Sequence, residues 1–180
     1  MRTNEIVSCG NDRTVRIYDT RTNHPVAVTS LSRASMTCLS VCGPDDTHIF
    51  AGSADGGIKM WDLRYDNVEP SMTYNGHTDR ITGLIVVQKR GCMVTSSLDG
   101  TVRTWDYVNG ECTQTMNPFK SSGVENLSLS FSSGLVANSP ARKLVEQKHE
   151  GSPFSHSSNN NDIQWLSARS TCGKIHIWRS

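Results

Sequence analysis

The feature that most constrains this chain is a segment that recurs along its 180 residues. Four stretches align without gaps: CGNDRTVRIYD (9–19), GSADGGIKMWD (52–62), SSLDGTVRTWD (96–106) and RSTCGKIHIWR (169–179). The next-to-last residue of each stretch is aromatic, and in the first three an aspartate follows it. The aromatic residues are separated by 43, 44 and 73 positions. Such a recurrence indicates an array of similar units, each packed against its neighbours.

Each unit has the pattern of a set of short antiparallel strands. Asp55-Gly56 and Asp99-Gly100 are typical of tight hairpin turns, because glycine adopts a positive φ without steric cost. Apolar runs precede these turns, and alternating apolar residues follow them, as expected of buried and half-buried strands. We therefore predict an all-β protein, with innermost strands at 36–41 and 81–87 and outer strands at 26–31, 69–74 and 111–116.

The period near 44 residues and the aromatic-Asp ending resemble those of the WD40 β-propeller family. The resemblance implies a partial propeller of about four blades or fewer, two of them complete. We expect one domain over 1–180, made of an incomplete blade, two complete blades and a degenerate blade, at 1–32, 33–75, 76–117 and 118–180. Because propellers usually close with four to eight blades, we expect the missing ones to come from a longer chain or from a partner.

The fourth unit is interrupted by a polar stretch over 134–161, which is rich in Ser, Asn, Lys and Glu. This composition offers too little apolar surface to order a loop, so a disordered insertion is predicted. In the same unit Cys172 stands where other units have aspartate, and we expect that turn to lose its acceptor.

In the family, a buried hydrogen-bonded tetrad pins each blade. Its positions match His77, Ser97, Asp99 and Trp105 in the third unit. Partial tetrads remain in the other units, as Ser53, Asp55 and Trp61 in the second and Asp12 in the first, where Tyr18 replaces tryptophan.

The same residues can be written as a Ser-His-Asp triad of a hydrolase, from Ser97, His77 and Asp99. A nucleophile needs an exposed oxygen and an oxyanion hole, and no nucleophile elbow or phosphate-binding glycine loop occurs in the sequence. The six cysteines form no CxxC pair, so we predict free buried thiols, no metal site and no cofactor. We predict a protein that is not an enzyme.

Net charge is +1, and no apolar run is long enough to cross a membrane, so protein partners are favoured over nucleic acid or lipid. The resemblance places one rim of the propeller at the loops that enter the inner strands and at the hairpin turns. There the candidate contact residues are Arg80, Ala54 and Leu98.

A second candidate surface is the repeated pattern W/Y-D-x-R, which ends in Arg21 and Arg64. It resembles the motif that the adaptor of cullin-4 RING ubiquitin ligases reads in WD40 proteins. The alternative explanation is that Asp and Arg pair across neighbouring strands near the surface, which contributes little to stability.

Over residues 5–106 the order of the motifs is most similar to the WD40 subunit of the spliceosomal U5 snRNP. That resemblance implies a nuclear scaffold for large splicing proteins, with nucleic acid contacted indirectly at most. The alternative is a substrate receptor of a cullin-4 ligase, in the nucleus or the cytoplasm.

Overall fold

A computed structural model describes residues 4–22, 25–30, 33–42, 47–65, 69–119, 122–133, 162–172 and 174–179. These residues form fourteen strands in four antiparallel sheets, together with one short 3-10 turn at Gln88–Arg90. The predicted all-β class is therefore confirmed, and the predicted insertion at 134–161 lies outside the described residues. No described helix has the length and apolar character needed to span a membrane.

We refer to the four sheets as blades 1 to 4. Blade 1 contains three strands, β1 (Glu5–Cys9), β2 (Thr14–Asp19) and β3 (Pro25–Ser30). Blade 2 contains β4 (Met36–Cys42), β5 (His48–Ser53), β6 (Ile58–Asp62) and β7 (Met72–Tyr74). Blade 3 contains β8 (Ile81–Val87), β9 (Cys92–Ser97), β10 (Val102–Asp106) and β11 (Cys112–Met116). Blade 4 contains three described strands, β12 (Val124–Ser133), β13 (Asp162–Ser170) and β14 (Ile175–Arg179).

Consecutive blades meet along their inner strands, β4 against β8 and β8 against β12. A threonine hydroxyl crosses each of these two boundaries. Thr37 Oγ1 donates to the carbonyl oxygen of Ile81 at 2.6 Å, and Thr82 Oγ1 donates to that of Val124 at 2.6 Å. The same contact therefore recurs at the same position of successive units.

The hydrophobic core is divided into three clusters, one between each pair of consecutive blades. Between blades 2 and 3, Phe50, Tyr74 and Trp105 pack with edge-on and tilted rings. Neighbouring residues of one strand serve different clusters: Ile49 packs toward blade 1 and Phe50 toward blade 3. Both faces of β5 are therefore buried, which is why its sequence contains a run of apolar residues and not an apolar-polar alternation.

The cysteines differ in part from the prediction of buried thiols. All six are free, and Cys42 is buried, but Cys112 and Cys172 are exposed. Cys112 lies in the outer strand of blade 3 and Cys172 in a hairpin turn, and neither place is covered by a neighbouring blade. No group of metal-binding side chains occurs within the described ranges.

The hairpin turns of blades 1 to 3 share a left-handed position. Gly56 (φ 86°) and Gly100 (φ 85°) occupy it in blades 2 and 3, whereas Arg13 (φ 68°) occupies it in blade 1. Each of these residues donates its backbone N–H to the carbonyl three residues earlier. An arginine in this conformation is strained, because its Cβ approaches the backbone carbonyl.

Replacing Arg13 with glycine should stabilise the protein by about 1 kcal/mol, because glycine adopts this φ without the steric cost. Urea denaturation of the wild type and the variant measures the effect. Arg33→Gly, at an exposed position without positive φ, is the control and should not stabilise. An equal response of the two variants would contradict the assignment of strain to Arg13.

Candidate functional site

A chain of hydrogen bonds runs through the interior of blade 3. Trp105 Nε1 donates to Thr95 Oγ1 at 2.8 Å, and Thr95 Oγ1 lies 2.9 Å from His77 Nε2. His77 Nδ1 in turn lies 2.8 Å from Asp99 Oδ2. The donor and acceptor roles along this chain follow from the indole N–H, which can only donate. The Thr95 hydroxyl accepts from the indole and donates its own proton to His77 Nε2. The imidazole then carries its proton on Nδ1 and donates it to Asp99.

Asp99 is held as a carboxylate at the end of this chain. Thr101 donates to Oδ1 through both its hydroxyl (2.6 Å) and its backbone N–H (2.8 Å), and the Thr78 N–H donates to Oδ2 at 3.1 Å. Burial acts to raise the pKa of Asp99, but the bonds from Thr101 and His77 outweigh it and lower that pKa. Burial lowers the pKa of His77 against the opposing pull of Asp99, which agrees with a neutral ring.

The structure corrects one member of the predicted tetrad, because Thr95 and not Ser97 joins His77 to Trp105. Ser97 Oγ instead donates to the Asp79 carbonyl at 2.9 Å and accepts the Asp99 N–H at 3.1 Å. The register explains the difference. Trp105 lies opposite Met93, so Thr95 is its diagonal neighbour on the same face, while Ser97 is one pleat further away.

This geometry does not form the catalytic pair that a hydrolase requires. Ser97 is fully buried and bonds to backbone groups, and both ring nitrogens of His77 are engaged by Asp99 and Thr95. The network therefore joins the loop before β8 to the strands β9 and β10, and its chemistry is structural.

Blades 1 and 2 retain parts of the network. In blade 2, Ser53 donates to the Asp55 carboxylate, which also accepts the Gly57 N–H at 3.1 Å. Ala51 takes the position of Thr95 in blade 2 and carries no hydroxyl, so the bonded chain of blade 3 is not repeated there. In blade 1, Asp12 accepts the Thr14 hydroxyl at 2.9 Å.

The turn of blade 4 differs from the prediction that Cys172 removes an acceptor. The sulfur of Cys172 lies 3.0 Å from Ser170 Oγ and 3.4 Å from Ser122 Oγ. Its contact with Ser170 corresponds to the contact of the Asp55 carboxylate with Ser53 in blade 2. These two hydroxyls lower the pKa of Cys172 to about 7, Ser122 contributing most. A thiolate can thus take the place of the carboxylate.

Stability should depend on pH through His77. Its pKa lies below that of the unfolded chain, so between pH 7 and pH 5 the unfolded state takes up a proton that the folded ring resists. The free energy of unfolding should therefore fall as the pH is lowered through about 6.5. Urea titrations at both pH values test this, and His77→Gln should give a shallower pH dependence. Identical slopes for the two proteins would contradict it.

Two stretches of the chain, residues 20–62 and 68–106, match the family described as WD domain, G-beta repeat. The chain is therefore similar to WD40 repeats over these two stretches. They cover β3 of blade 1, the four strands of blade 2 and the strands β8 to β10 of blade 3, and they support a β-propeller and a protein-interaction role of the scaffold type.

The chain is similar to several known proteins over part of their length. It is 29% identical to the target of rapamycin complex subunit LST8 of Saccharomyces cerevisiae over 101 residues, which are 56% of this chain and 33% of the relative. The wat1 subunit of Schizosaccharomyces pombe is 27% identical, covering 56% of this chain and 32% of the relative. Mitochondrial division protein 1 of Eremothecium gossypii is 32% identical, covering 59% of this chain and 15% of the relative. The matched part is thus a third or less of each relative.

Solved structures share the fold at low sequence identity. The WD40 β-propeller domain of Doa1 superposes with a TM-score of 0.62 at 22% identity, over 69% of this chain and 40% of that one. The computationally designed Ika4 protein superposes with a TM-score of 0.67 at 19% identity, over 99% of this chain and 86% of that one. At these identities the likeness shows the fold alone.

The predicted rim, which includes Arg80, Ala54 and Leu98, is built by one backbone contact that repeats. Ala54 N–H donates to the carbonyl of Ser35 at 2.9 Å, and Leu98 N–H donates to that of Arg80 at 3.0 Å. Arg80 is exposed, whereas Ala54 and Leu98 are half-buried. Leu98 also packs against Gly123, where an added Cβ would lie 2.8 Å from the Leu98 carbonyl oxygen. The rim therefore offers a charged side chain beside half-buried apolar ones.

The two W/Y-D-x-R motifs have the same conformation. Arg21 Nη2 lies 2.6 Å from Asp19 Oδ2, and Arg64 Nη2 lies 2.6 Å from Asp62 Oδ2, with Nε completing a fork in both cases. Hydrogen bonding from the arginines lowers the pKa of each aspartate to about 2. The arginine side chains remain 70% and 56% exposed, so the forks fix them at the surface.

Proposed function

We propose that this chain is a non-catalytic scaffold that joins subunits of a multi-protein assembly, and that the rim around Arg80 is a contact surface. The observation that supports this proposal most is that the polar side chains which could act in catalysis are bonded to one another inside blade 3. The described histidine and aspartate of blade 3, and the hydroxyls beside them, are used to hold the blade together. The exposed arginine lies on the rim, outside that network.

The composition of the rim suits protein recognition. Arginine is enriched among the residues that contribute most to protein interfaces, because its planar guanidinium pairs with carboxylates while its stem packs on apolar groups. Arg80 and Leu98 are held together by a backbone hydrogen bond, so the charged and apolar groups are presented jointly. A near-neutral chain with this rim suits protein more than nucleic acid.

Two kinds of assembly are candidates for the one that this scaffold joins. The order of the motifs suggests a spliceosomal scaffold in the nucleus, whereas LST8 and wat1 are named as subunits of the target of rapamycin complex. Both alternatives are large protein assemblies, which is why the scaffold is the part of the proposal with the strongest support. The splicing assignment and the nuclear location stay predictions.

A second candidate function, substrate receptor of a cullin-4 ligase, is favoured by one observation. The same Asp-Arg fork is built in two neighbouring blades, with both guanidinium groups fixed at the surface. Replacing Arg21 and Arg64 together with alanine should then abolish binding of the purified ligase adaptor. Unchanged binding of a folded double variant would remove this candidate.

The scaffold proposal is tested by purifying the tagged chain with its partners from cells, as wild type and as Arg80→Ala. Lys89→Ala is the control, because Lys89 is exposed in the 3-10 turn between β8 and β9. We expect a defined set of subunits that the Arg80 variant loses and the control keeps. Splicing subunits with U5 RNA would support the spliceosomal assignment. An identical set with all three proteins would reject the rim as the contact surface.

A further inference from the structure

Arg103 carries a positive charge that no described acid balances. It lies in β10 and is half-buried, and its Nε atom is buried without a hydrogen-bond acceptor among the described residues. Of the arginines that the structure describes, Arg16, Arg21, Arg64 and Arg169 form ion pairs, whereas Arg103 forms none. A half-buried cation without a counterion is unfavourable, because it has lost part of its hydration and has gained no partner.

The corresponding arginine of blade 1 has the carboxylate that Arg103 lacks. Arg16 occupies the same position of the repeat, and its Nη2 lies 2.6 Å from Asp12 Oδ2. In blade 3 both oxygens of the turn aspartate, Asp99, already accept hydrogen bonds from other donors, among them His77 at 2.8 Å. The network that holds His77 therefore takes away the counterion that the repeat provides at this position.

The unbalanced charge of Arg103 acts on the neighbouring network. Burial lowers the pKa of His77 most, and the positive charge of Arg103 lowers it further, against the opposing effect of Asp99. A carboxylate bound at the guanidinium would be attracted to it and would also reduce its repulsion of a protonated His77.

The guanidinium contacts the segment before β8 and the strand β11. A Cβ added to Gly76 would lie 2.9 Å from Arg103 Nη1, so the absence of a side chain lets the backbone pass this close. The same Nη1 lies 4.0 Å from the sulfur of Cys112, which is exposed. β11 is the edge strand of blade 3, opposite the inner strand β8, and three of its five residues are exposed. A ligand can therefore approach from the outer flank of the blade.

This flank does not depend on how many blades the complete ring contains. Blades 2, 3 and 4 already contact one another through β4, β8 and β12. Further blades would extend the row at blade 1 or at blade 4, and not at the outer edge of blade 3.

The charge at this site suits a carboxylate. Arg103 offers one positive charge, which one aspartate or glutamate balances, whereas a phosphate group would bring about two negative charges. The pair of Arg16 with Asp12 shows that an arginine at this position of the repeat binds a carboxylate oxygen at 2.6 Å.

We propose that Arg103 is a docking point for an aspartate or glutamate side chain of an acidic partner protein, which enters between β11 and the segment before β8. The carboxylate takes the place that Asp12 has beside Arg16 in blade 1. Its hydrogen bond to the guanidinium is charge-assisted, and the half-buried position reduces its screening by water. This site is separate from the rim contact proposed for Arg80 and does not depend on it.

Cys112 can report on the site, because its exposed sulfur lies beside the guanidinium. The probe is a hexaglutamate peptide, and hexaglutamine is its neutral control. Iodoacetamide alkylates the full chain in the presence of either peptide, and mass spectrometry follows the modification of Cys112. We expect hexaglutamate at millimolar concentration to slow the alkylation of Cys112 by about threefold, and hexaglutamine to leave it unchanged. Equal rates with the two peptides would overturn the proposal.

Three protein variants locate the site. Arg103→Gln should remove the protection of Cys112, and Arg103→Lys, which keeps the charge, should retain part of it. Arg80→Gln, the matched change on the rim, should protect as the wild type does, so this proposal and the rim contact can fail separately. Protection that persists in folded Arg103→Gln, or that is lost in folded Arg80→Gln, would overturn the docking point. If Arg103→Gln does not fold, the comparison of the two peptides on the wild type still decides.

Discussion

Replacing Thr95 with valine is expected to lower the free energy of unfolding by about 2–4 kcal/mol, one of the largest effects of a change this small. Valine keeps the shape of threonine and removes the hydroxyl that joins Trp105 Nε1 to His77 Nε2. Both nitrogens are buried, so each would lose its partner without gaining water. Urea denaturation at pH 7 measures the loss.

The control for this variant is Thr73→Val, since Thr73 is exposed in the outer strand of blade 2. It removes the same atom at a position where water replaces the hydrogen bond, and it should change stability by less than about 0.5 kcal/mol. If Thr95→Val were as mild as the control, the bonded chain through Thr95 would be wrong.

Gly56→Ala should cost about 3 kcal/mol or more, because two penalties coincide there. The residue has φ 86°, where an alanine is strained. Its Cβ would also lie 2.5 Å from the carbonyl oxygen of His77 and 2.9 Å from the carbonyl carbon. Backbone cannot move aside as a flexible side chain can, so the blade 3 loop that carries His77 would be displaced.

Two other glycines separate these penalties. Gly91 (φ 63°) has open space where its Cβ would be, so Gly91→Ala should show the conformational cost alone, about 1 kcal/mol. Gly100 (φ 85°) has its nearest contact at 3.2 Å, and Gly100→Ala should fall between the two. Thermal or urea unfolding of the three variants ranks them by their loss of stability. A loss at Gly56 no larger than at Gly91 would show that the loop yields without cost.

The sequence was sufficient for the architecture because the repeat itself encodes it. Turn dipeptides such as Asp99-Gly100 and the apolar runs before them are local signals, and the strands formed where these signals placed them. The pairing of His77 with Asp99 also followed, since both positions are set by the repeat.

The details that were missed depend on geometry between strands. The choice between Thr95 and Ser97 rests on the register of β9 against β10, which the order of residues does not reveal. The strain at Arg13 depends on its backbone angle, because the alignment places Arg13 opposite Gly100 but does not show that the turn keeps a positive φ when glycine is absent. The sulfur of Cys172 took an acceptor's place because a neighbouring loop supplies Ser122, which lies fifty positions earlier.

The threonine contacts between inner strands give the array a polarity. At the next corresponding position the residue is Glu125, whose carboxylate cannot donate a hydroxyl proton and which faces Arg169 at 3.9 Å. Among the described blades, blade 3 is the one that hydroxyl contacts join to both neighbours, so damage to it should loosen blades 2 and 4 together.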